Sequence, residues 1–302
     1  MILLTGASGF LGNSLLKSIN KSYRCIRRAE NKVNNDKNFY VDSCNSAADY
    51  AGVFENVKQV IHMAGVAHRK NVNLDDFRDI NYLGTVNFAQ QAAESGVKRF
   101  IFISTIGVHG TRTTKIPFTE NSNIACVSEY TKSKYNAEKE LLKISSETGM
   151  EIVIIRPPLI YGNGAPGNFD KLVNLVHKLP VLPFGLCNNK RSFISVDNLV
   201  DFISVCITHP NAKNETFCIS DGNDVSIRGF TDEIAKGLNK RLIQLPLPVS
   251  IFKLLGKITG KSEPIEQLIG DLQVDSSKAR QLVDWTPPFT MAETLSKLRI
   301  KN

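Results

Sequence analysis

The chain opens with Met1-Ile2-Leu3-Leu4-Thr5 and continues directly into Gly6-Ala7-Ser8-Gly9-Phe10-Leu11-Gly12. The first five residues form a short apolar run, as a buried β-strand requires, and the glycine-rich segment leads into a helical pattern over residues 11–19. A buried strand, a glycine turn and a helix in this order are typical of the first unit of a parallel α/β sheet. The sequence around this turn therefore decides the fold class.

The same alternation of apolar runs and helical periods continues through the first half of the chain. Further helical periods cover residues 74–95 and 129–147. Strands that are apolar throughout and separated by helices form parallel sheets covered on both faces, with right-handed crossovers. We therefore predict an α/β fold with a doubly wound parallel sheet of the Rossmann type. Its predicted strands are 2–5, 23–26, 38–41, 59–62, 100–104 and 152–155.

The glycine-rich loop has the spacing G-x-x-G-x-x-G. Glycines there allow a tight turn and a close approach of the backbone to a pyrophosphate, while the helix N-terminus offers unpaired N–H groups to phosphate. A packing turn without a ligand is the alternative, but the position between a strand and a helix favours a dinucleotide site. The candidate cofactor-binding residues of the loop are Gly6, Ser8, Gly9, Phe10, Leu11 and Gly12.

The character of the sequence changes after Arg156-Pro157-Pro158. Residues 161–191 are rich in glycine, proline and asparagine, and beyond about residue 225 prolines interrupt the helical patterns. A helix at 196–208 and a strand at 216–220 suit a return to the main sheet. We therefore expect a dinucleotide-binding domain over 1–160, rejoined by 192–222, and a second, smaller, interleaved substrate domain formed by 161–191 and 223–302.

The end of the second predicted strand bears on which dinucleotide binds. NAD-binding proteins usually carry a carboxylate there for the ribose 2′-hydroxyl, whereas this chain has Arg27 and Arg28. Two guanidinium groups suit a 2′-phosphate, so we favour NADP(H). A solvated basic turn, or arginine stacked on adenine in an NAD enzyme, is the alternative. Asp42, just after the third predicted strand, either accepts from the adenine amino group or caps the next segment.

Tyr130 and Lys134 stand four residues apart in a predicted helix, which places them on one face. A phenol with an ordinary pKa of about 10 is a poor base at neutral pH, and a nearby ammonium group favours its ionised form. Tyr130 is therefore a candidate general acid and base, although this spacing also arises by chance. Thr105 follows a predicted strand at the sheet edge where ligands bind, and either bonds the same substrate oxygen or simply ends its strand.

The composition is that of an ordinary globular protein with a surplus of positive charge. The 302 residues are 42% hydrophobic and 22% charged, and the formal net charge is +8. This surplus points to an anionic partner, but the longest basic run is the pair Arg27-Arg28, which does not favour nucleic acid. No apolar stretch approaches the ~18 residues of a spanning helix. The six cysteines show no metal-binding or disulfide spacing, and we expect a cytoplasmic protein without a metal site.

Several motifs occur together in the order found in one enzyme family. Besides the glycine loop, Thr105 and Tyr130-x-x-x-Lys134, they are His62-Met63-Ala64-Gly65, Asn81 with Gly84-Thr85, Arg156-Pro157-Pro158 and Asp284-Trp285-Thr286-Pro287. With this ordered set the chain resembles the extended short-chain dehydrogenases/reductases over nearly its whole length. Within that family it resembles the branch of nucleotide-sugar epimerases, dehydratases and reductases.

The resemblance implies roles for individual residues. Thr105 would be the hydroxyl partner of the substrate, Tyr130 the acid/base, and Lys134 the residue that tunes Tyr130 and binds the cofactor ribose. It also implies a homodimer through the helices at 74–95 and 129–147. Further residues would line the cofactor, the last two near the nicotinamide: Ala64, Gly65, Asn81, Pro157 and Leu159.

The resemblance also implies a UDP-sugar pocket in the second domain. Arg191 opens a string, Arg-Ser-Phe-Ile-Ser-Val-Asp, that is similar to the family segment whose arginine holds the diphosphate. Asn168 would approach the diphosphate and Phe184 would pack on the uracil. A loop cap and a core aromatic are equally good accounts of these two residues.

An amphipathic segment follows at residues 247–261, with Lys253, Lys257 and Lys261 on one side. A helix packed on the second domain is the favoured interpretation. A membrane surface is the minor alternative.

The residues after Thr105 narrow the reaction. Nucleotide-sugar 4,6-dehydratases carry Asp-Glu there for proton transfer, whereas this chain has Ile106 and Gly107. We favour 4-keto reduction of a UDP-2-acetamido-2,6-dideoxy-4-ketohexose by NADPH in surface-polysaccharide biosynthesis, because of Arg27 and Arg28. The alternative is a UDP-glucose or UDP-N-acetylglucosamine 4-epimerase with bound NAD. Non-catalytic NADP-sensing proteins of this fold typically lack the tyrosine or the lysine that this chain keeps.

Overall fold

A parallel sheet forms the centre of the computed structural model, which describes residues 1–28, 34–67, 73–260 and 262–300. The strands within these ranges are β1 (Ile2–Thr5), β2 (Tyr23–Arg28), β3 (Asn38–Val41), β4 (Gln59–His62), β5 (Arg99–Ile103), β6 (Glu151–Arg156), β7 (Leu159–Tyr161), β8 (Val181–Leu182), β9 (Phe193–Ser195), β10 (Glu215–Cys218) and β11 (Ile243–Gln244). Seven of them form the main sheet in the order β10-β6-β5-β4-β1-β2-β3, with parallel pairing throughout. The predicted doubly wound parallel α/β fold is confirmed.

Helices alternate with the strands along the chain. They are α1 (Phe10–Ser18), α2 (Leu74–Asp76), α3 (Thr85–Glu94), α4 (Glu129–Thr148), α5 (Asn168–Lys178), α6 (Val196–Thr208), α7 (Ile227–Gly237), α8 (Val249–Ile258), α9 (Ser262–Ile269), α10 (Ser277–Val283) and α11 (Met291–Leu295). A π-helix, Phe77–Gly84, joins α2 to α3, and short 3₁₀ helices lie at Ile106–His109 and Pro210–Ala212. Among the residues that the structure describes, no helix has both the length and the apolar character needed to cross a membrane.

The two faces of the main sheet bury separate apolar clusters. Neighbouring residues of β1 point to opposite faces, as strand geometry requires: Leu4 packs with α1 and α6, and Leu3 packs with α3 and α4. Phe202 of α6 and Phe88 of α3 are the largest helix side chains in these clusters. Because both faces are covered, the central strands are largely apolar, and this is why the sequence pattern located them.

The second strand is longer than predicted. β2 continues through Arg27 and Arg28, since residues 25–28 pair in register with residues 38–41 of β3. Main-chain pairing therefore extends the strand beyond its apolar part, and the two arginines lie at the carboxyl end of the strand instead of in a turn after it.

Two small parallel pairs lie outside the main sheet, β7 with β9 and β8 with β11, over a third apolar cluster. β10, which belongs to the segment 192–222, pairs with β6 in the main sheet. Within 223–302, α10 and Trp285 pack in the cluster of the main sheet, where Trp285 lies 4.8 Å from Phe202 between ring centroids. The division into two domains stays a prediction. By their packing, α10 and Trp285 belong with the first predicted domain and not with the second.

Two close backbone approaches shape the turn after β1. Gly6 has a φ of 71°, in the left-handed region that favours glycine, and a Cβ there would lie 2.7 Å from the backbone nitrogen of Ala64. A Cβ on Gly12, in the first turn of α1, would lie 2.4 Å from the carbonyl oxygen of Gly6. Glycine at both positions therefore lets α1 begin directly against the end of β1.

We expect Gly12→Ala to lower the free energy of unfolding by about 1–3 kcal/mol, because the new methyl group overlaps backbone atoms. Gly229→Ala in α7 is the matched control, since a Cβ there meets nothing nearer than 3.6 Å and alanine gains up to about 1 kcal/mol of helix propensity. Urea unfolding followed by the fluorescence of Trp285, the single tryptophan, measures both variants. Equal loss of stability in the two would contradict this account of Gly12.

Candidate active site

A cavity of about 660 Å³ lies at the carboxyl ends of β1, β2 and β4. Seven residues proposed from the sequence as cofactor ligands line it: Gly6, Ser8, Gly9, Arg27, Arg28, Ala64 and Gly65. The lining residues that sequence reasoning missed include three polar side chains on and after β3, Asn38, Tyr40 and Cys44. The sequence indicates these three residues only through their position on and after β3, the strand that pairs with β2. The cavity therefore runs from the glycine loop to the end of the sheet strand that bears the arginines.

The N-terminus of α1 faces this cavity without a side-chain cap. Gly9 is the N-cap residue, the first turn carries no acidic residue, and the first helical hydrogen bond runs from Asn13 N–H to Gly9 O (2.9 Å). The N–H groups of Phe10, Leu11 and Gly12 precede that bond and suit a phosphate. The Leu11 side chain packs in the core and Phe10 packs against it, so these two residues present backbone groups to a ligand.

The far end of the cavity is positively charged. Arg27 Nε donates to Asn38 Oδ1 at 2.5 Å, while Arg28 is exposed and has no hydrogen bond or ion pair within the described ranges. Asp42 is exposed directly after β3 and is not among the residues that line the cavity. In the described part of the chain, none of the lining residues carries a carboxylate. These groups fit the anionic parts of a nicotinamide dinucleotide.

A buried asparagine holds the loop after β4. Asn81 Oδ1 accepts from Val66 N–H at 2.8 Å, and Asn81 Nδ2 donates to Val66 O at 2.9 Å. A Cβ on Gly65 would lie 3.0 Å from Asn81 Oδ1 and 3.6 Å from Lys134 Nζ. Asn81 is fully buried and is not a lining residue. It therefore positions Gly65, which lines the cavity beside Lys134.

A neutral histidine supports the same loop from below. The His62 ring nitrogens lie 3.0 Å from Thr5 Oγ1 and 3.0 Å from Thr85 Oγ1. Burial lowers the pKa of His62 to about 3, and the charge of Lys134 acts in the same direction. Thr5 Oγ1 also accepts from Ala64 N–H at 3.2 Å. The uncharged imidazole of His62 thus fixes the Thr5 hydroxyl, which in turn orients Ala64 in the loop after β4.

Tyr130 and Lys134 occupy the first two turns of α4, which starts after the capping residue Ser128. Lys134 Nζ donates to Ile103 O at the end of β5 (2.9 Å) and lies 4.4 Å from the centroid of the Phe102 ring. Burial lowers the pKa of Lys134 to about 8, although the charge of Glu138 opposes the shift. Burial also raises the pKa of Tyr130 to about 12.

Lys134 and Tyr130 have different neighbours in the structure. Lys134 is turned toward β5 by the Ile103 carbonyl, and Tyr130 packs edge-on against Phe77 with 6.2 Å between ring centroids. The ammonium therefore lies between the sheet and the cofactor cavity, on the same helix as the phenol.

Thr105 begins the loop after β5, and this loop lies against the first turn of α4. Its Oγ1 accepts from Gly107 N–H at 3.1 Å. A Cβ on Gly107 would lie 3.0 Å from Thr131 Cγ2 and 3.4 Å from Thr105 Oγ1, so the loop after β5 touches the residue next to Tyr130. Ile106 is buried in a small cluster with Cys218, Leu272 and Val274. The two positions after Thr105 thus carry packing and no proton-transfer group.

Sequence reasoning missed a buried polar network beneath α4. Arg156 Nη2 pairs with Glu138 Oε2 at 2.6 Å, and Arg156 Nη1 lies 2.9 Å from His109 Nε2. The Ser104 hydroxyl donates to Glu138. Glu138 lies one helical turn after Lys134, and this spacing is the only signal that the sequence holds.

A second cavity of about 510 Å³ lies between β7, α5, α7 and α9. Leu159, Asn168 and Arg191 line it, as does Lys171, and most of the other lining residues are apolar. Arg191 Nη1 donates to Gly270 O at 2.9 Å, and Arg191 forms no ion pair with any carboxylate of the described residues. Burial lowers the pKa of Arg191 to about 10, with Asp271 opposing. A partly desolvated guanidinium that forms no ion pair with a described carboxylate suits an anionic ligand.

Phe184 and Pro157, which were also proposed from the family resemblance, lie outside both cavities. Phe184 is buried in the third apolar cluster and stacks on Phe252 at 5.9 Å between centroids, which is the core role left open by the sequence. Pro157 is buried, and its carbonyl accepts from Ile106 N–H at 2.9 Å. Pro157 thus fixes the residue beside Thr105.

Known proteins share this architecture. Residues 2–220 match the model of the NAD dependent epimerase/dehydratase family. A UDP-glucose 4-epimerase of Vibrio cholerae is 44% identical, over 97% of this chain and 92% of that protein. The N-acetyl-alpha-D-glucosaminyl-diphospho-ditrans,octacis-undecaprenol 4-epimerase of Escherichia coli O157:H7 is 26% identical, over 98% of this chain and 93% of that protein.

A solved structure is similar over the full length as well. The UDP-N-acetylglucosamine 4-epimerase from Bacillus cereus superposes with a TM-score of 0.77 at 19% identity, covering 98% of this chain and 96% of that one. The family match extends over well more than half of the residues. The chain therefore belongs to the NAD-dependent epimerase/dehydratase family and is an enzyme of the extended short-chain dehydrogenase/reductase type.

Proposed function

We propose that this protein is a 4-epimerase of a UDP-hexose or UDP-N-acetylhexosamine. Hydroxyl, phenol and ammonium groups at Thr105, Tyr130 and Lys134 suit oxidation and reduction at a single C–O bond. That chemistry serves epimerases and 4-keto reductases alike. The observation that carries the choice of epimerase is the 44% identity to a UDP-glucose 4-epimerase over 97% of the chain.

Tyr130 and Thr105 act on the oxygen at C4 in this proposal. Tyr130 removes the proton of the 4-hydroxyl as the hydrogen on C4 leaves with its electron pair, so that a C=O bond forms. Thr105 donates a hydrogen bond to that oxygen. A bound nicotinamide nucleotide would accept the hydride and later supply it to the opposite face of the rotated ketone. Tyr130 then returns its proton to the oxygen, which completes the inversion.

Lys134 supplies the charge that the phenol needs. Because the pKa of Lys134 is about 8, the group is largely protonated at neutral pH. The proposal requires this ammonium to favour the phenolate of Tyr130 over the phenol, because burial raises the pKa of the phenol. The position of Lys134 beside Gly65 also suits a contact with the cofactor ribose.

The names of the relatives and the second cavity together support the proposed substrate class. The names of both curated relatives specify a sugar joined to a diphosphate, as UDP-glucose in one and as a polyprenyl diphosphate sugar in the other. Arg191, with Lys171 nearby in the same cavity, suits that diphosphate, since a guanidinium holds two phosphate oxygens at once. Asn168 would add a neutral hydrogen bond.

A 4-keto reductase that uses NADPH is the second candidate, and Arg27 and Arg28 favour it. Both line the cofactor cavity, where a ribose 2′-phosphate would lie, and no lining residue of the described part offers a carboxylate to a 2′-hydroxyl. Incubation of UDP-glucose and UDP-N-acetylglucosamine without added cofactor tests the first candidate. We expect a C4-inverted product. NADPH consumption with a UDP-4-keto-6-deoxy-N-acetylhexosamine, and no inversion, would overturn epimerisation in favour of reduction.

We expect Tyr130→Phe to lower kcat by roughly 10²- to 10⁴-fold, because a positioned acid/base is lost. Tyr135→Phe on the same helix is the matched control, since that ring contacts Lys139 at 5.3 Å from Nζ to centroid and has no part in the proposed reaction. Steady-state kinetics with the accepted sugar measure both variants. Unchanged turnover in Tyr130→Phe would refute the role of the phenol.

Arg191→Gln is expected to raise KM for the sugar diphosphate roughly 10- to 100-fold with a small change in kcat, because charge-assisted hydrogen bonds to the bound diphosphate are lost. Arg228→Gln is the control, since its side chain is 51% exposed and donates to Gly185 O. Equal KM values for the two variants would remove Arg191 from the substrate site.

For the second candidate, Arg28→Ala is expected to raise KM for NADPH roughly 10- to 100-fold and to leave KM for NADH unchanged, because only NADPH carries the 2′-phosphate. Initial rates of NADPH and NADH oxidation with the 4-keto sugar measure the difference. An equal change for both cofactors would show that Arg28 does not read the 2′ position.

A further inference from the structure

One side of α8 is apolar and exposed. Phe252 and Gly256 are buried, and a Cβ on Gly256 would lie 3.1 Å from Ile265 Cδ1 of α9. The opposite side of the helix carries four exposed aliphatic residues, which we call the α8 apolar face: Ile251 (39% exposed), Leu254 (57%), Leu255 (48%) and Ile258 (72%). Because successive residues turn by about 100°, these four share one sector of the helix surface.

The expected packing of this helix on the second domain therefore accounts for only one of its two apolar sides. α8 does pack on α9, but its apolar face has no covering element among the described residues. Ile243 (60% exposed) and Leu245 (45% exposed) stand in the strand and link that lead into α8. Single exposed aliphatic residues are normal on a protein surface, whereas a cluster on one short stretch marks an interaction site.

The charge of the same stretch has one sign. Between Glu233 and Glu263 the chain contains no carboxylate and six basic residues, Lys236, Lys240, Arg241, Lys253, Lys257 and Lys261. Lys261 lies outside the described residues. Lys253 and Lys257 are exposed on α8, and neither forms an ion pair or hydrogen bond with a described residue. The helix that bears the apolar face thus also bears two exposed lysines, Lys253 and Lys257, that no described carboxylate neutralises.

We propose that α8 is an interfacial helix that binds this protein reversibly to an anionic bilayer surface. A helix with an apolar face and flanking lysines lies in the plane of the interface, with its aliphatic side chains at the boundary of headgroups and acyl chains. Anionic lipids attract exposed lysines of the same helix, here Lys253 and Lys257. The apolar contact and the electrostatic attraction are each weak, and together they suit reversible attachment of the protein to the bilayer.

A second copy of this chain is the less suitable occupant. In a two-fold symmetric contact the same patch lies on both subunits, so that Lys253 and Lys257 of each copy would approach the same positive stretch of the other. An anionic lipid surface instead complements this charge and covers the aliphatic residues at the same time.

Attachment through α8 would place the bilayer near the substrate cavity. α8 packs on α9, and Pro264, Gln267 and Leu268 of α9 line the second cavity. The inference about α8 does not depend on the reaction proposed for the site, because it rests on the surface of α8 and not on the residues of the active site.

Vesicle co-sedimentation of the full chain tests the proposal. We expect binding to vesicles of phosphatidylglycerol and phosphatidylcholine, weaker binding at high sodium chloride, and little binding to phosphatidylcholine alone. Leu254→Glu with Ile258→Glu, and separately Lys253→Glu with Lys257→Glu, are each expected to weaken the binding roughly 10- to 100-fold. Ile116→Glu, at a residue that is 77% exposed elsewhere, is the control and should bind as the unaltered protein does.

Three outcomes would overturn the proposal. The first is that the unaltered protein fails to bind anionic vesicles, and the second is that the α8 variants bind as well as the control. The third is a self-associated protein that becomes monomeric in Leu254→Glu with Ile258→Glu, as judged by light scattering, since a second copy would then cover the face. Turnover of a water-soluble UDP-sugar should be unchanged in every α8 variant, which separates failure of this proposal from failure of the proposed reaction.

Discussion

The architecture of the site depends on one buried ammonium group, that of Lys134. Moving a charged lysine into the interior is costly, and here that cost lowers the pKa of Lys134 to about 8. Three features keep the group charged near neutral pH: the Ile103 carbonyl at 2.9 Å, the face of the Phe102 ring at 4.4 Å and the opposite charge of Glu138. They come from the end of β5 and from α4 itself. The charge next to the cofactor cavity therefore exists only when sheet and helix are packed as they are.

The buried pair of Glu138 and Arg156 extends this constraint from α4 to β6. With 1% and 8% of their side chains exposed, neither group is stable in the interior without the other, because an unpaired buried charge is strongly destabilising. Glu138 also accepts from Ser104, directly before Thr105. The carboxylate thereby connects the helix that bears Tyr130 and Lys134 to the strand end that bears Thr105. We interpret the network as the framework that fixes the relative positions of these groups.

The sequence allowed the sheet to be predicted because burial on both faces makes its central strands largely apolar, and β1, β3 and β4 fall on the predicted residues. It did not show that β2 extends through Arg27 and Arg28, since pairing with β3 overrides the polar character of these residues. The order of the motifs predicted that Asn81 lies near the cofactor. It did not show that Asn81 binds the backbone of Val66, because that is a tertiary contact. Likewise an aromatic residue in a matching segment does not reveal whether it faces a ligand or, like Phe184, a core neighbour.

The short segment from Arg156 to Tyr161 connects the polar network under α4 to the wall of the second cavity. Arg156 belongs to the network under α4, the carbonyl of Pro157 binds Ile106 next to Thr105, and Leu159 lines the second cavity. Tyr161 then ends β7 with a hydrogen bond from its hydroxyl to Asp221 at 2.7 Å. Since two prolines stiffen this link, the distance between the proton-transfer groups and the wall of the second cavity is set by the backbone and not by side-chain rotamers. In the proposed reaction, a sugar joined to a diphosphate would be held at one end by Arg191, and this segment would determine which of its carbons reaches Thr105.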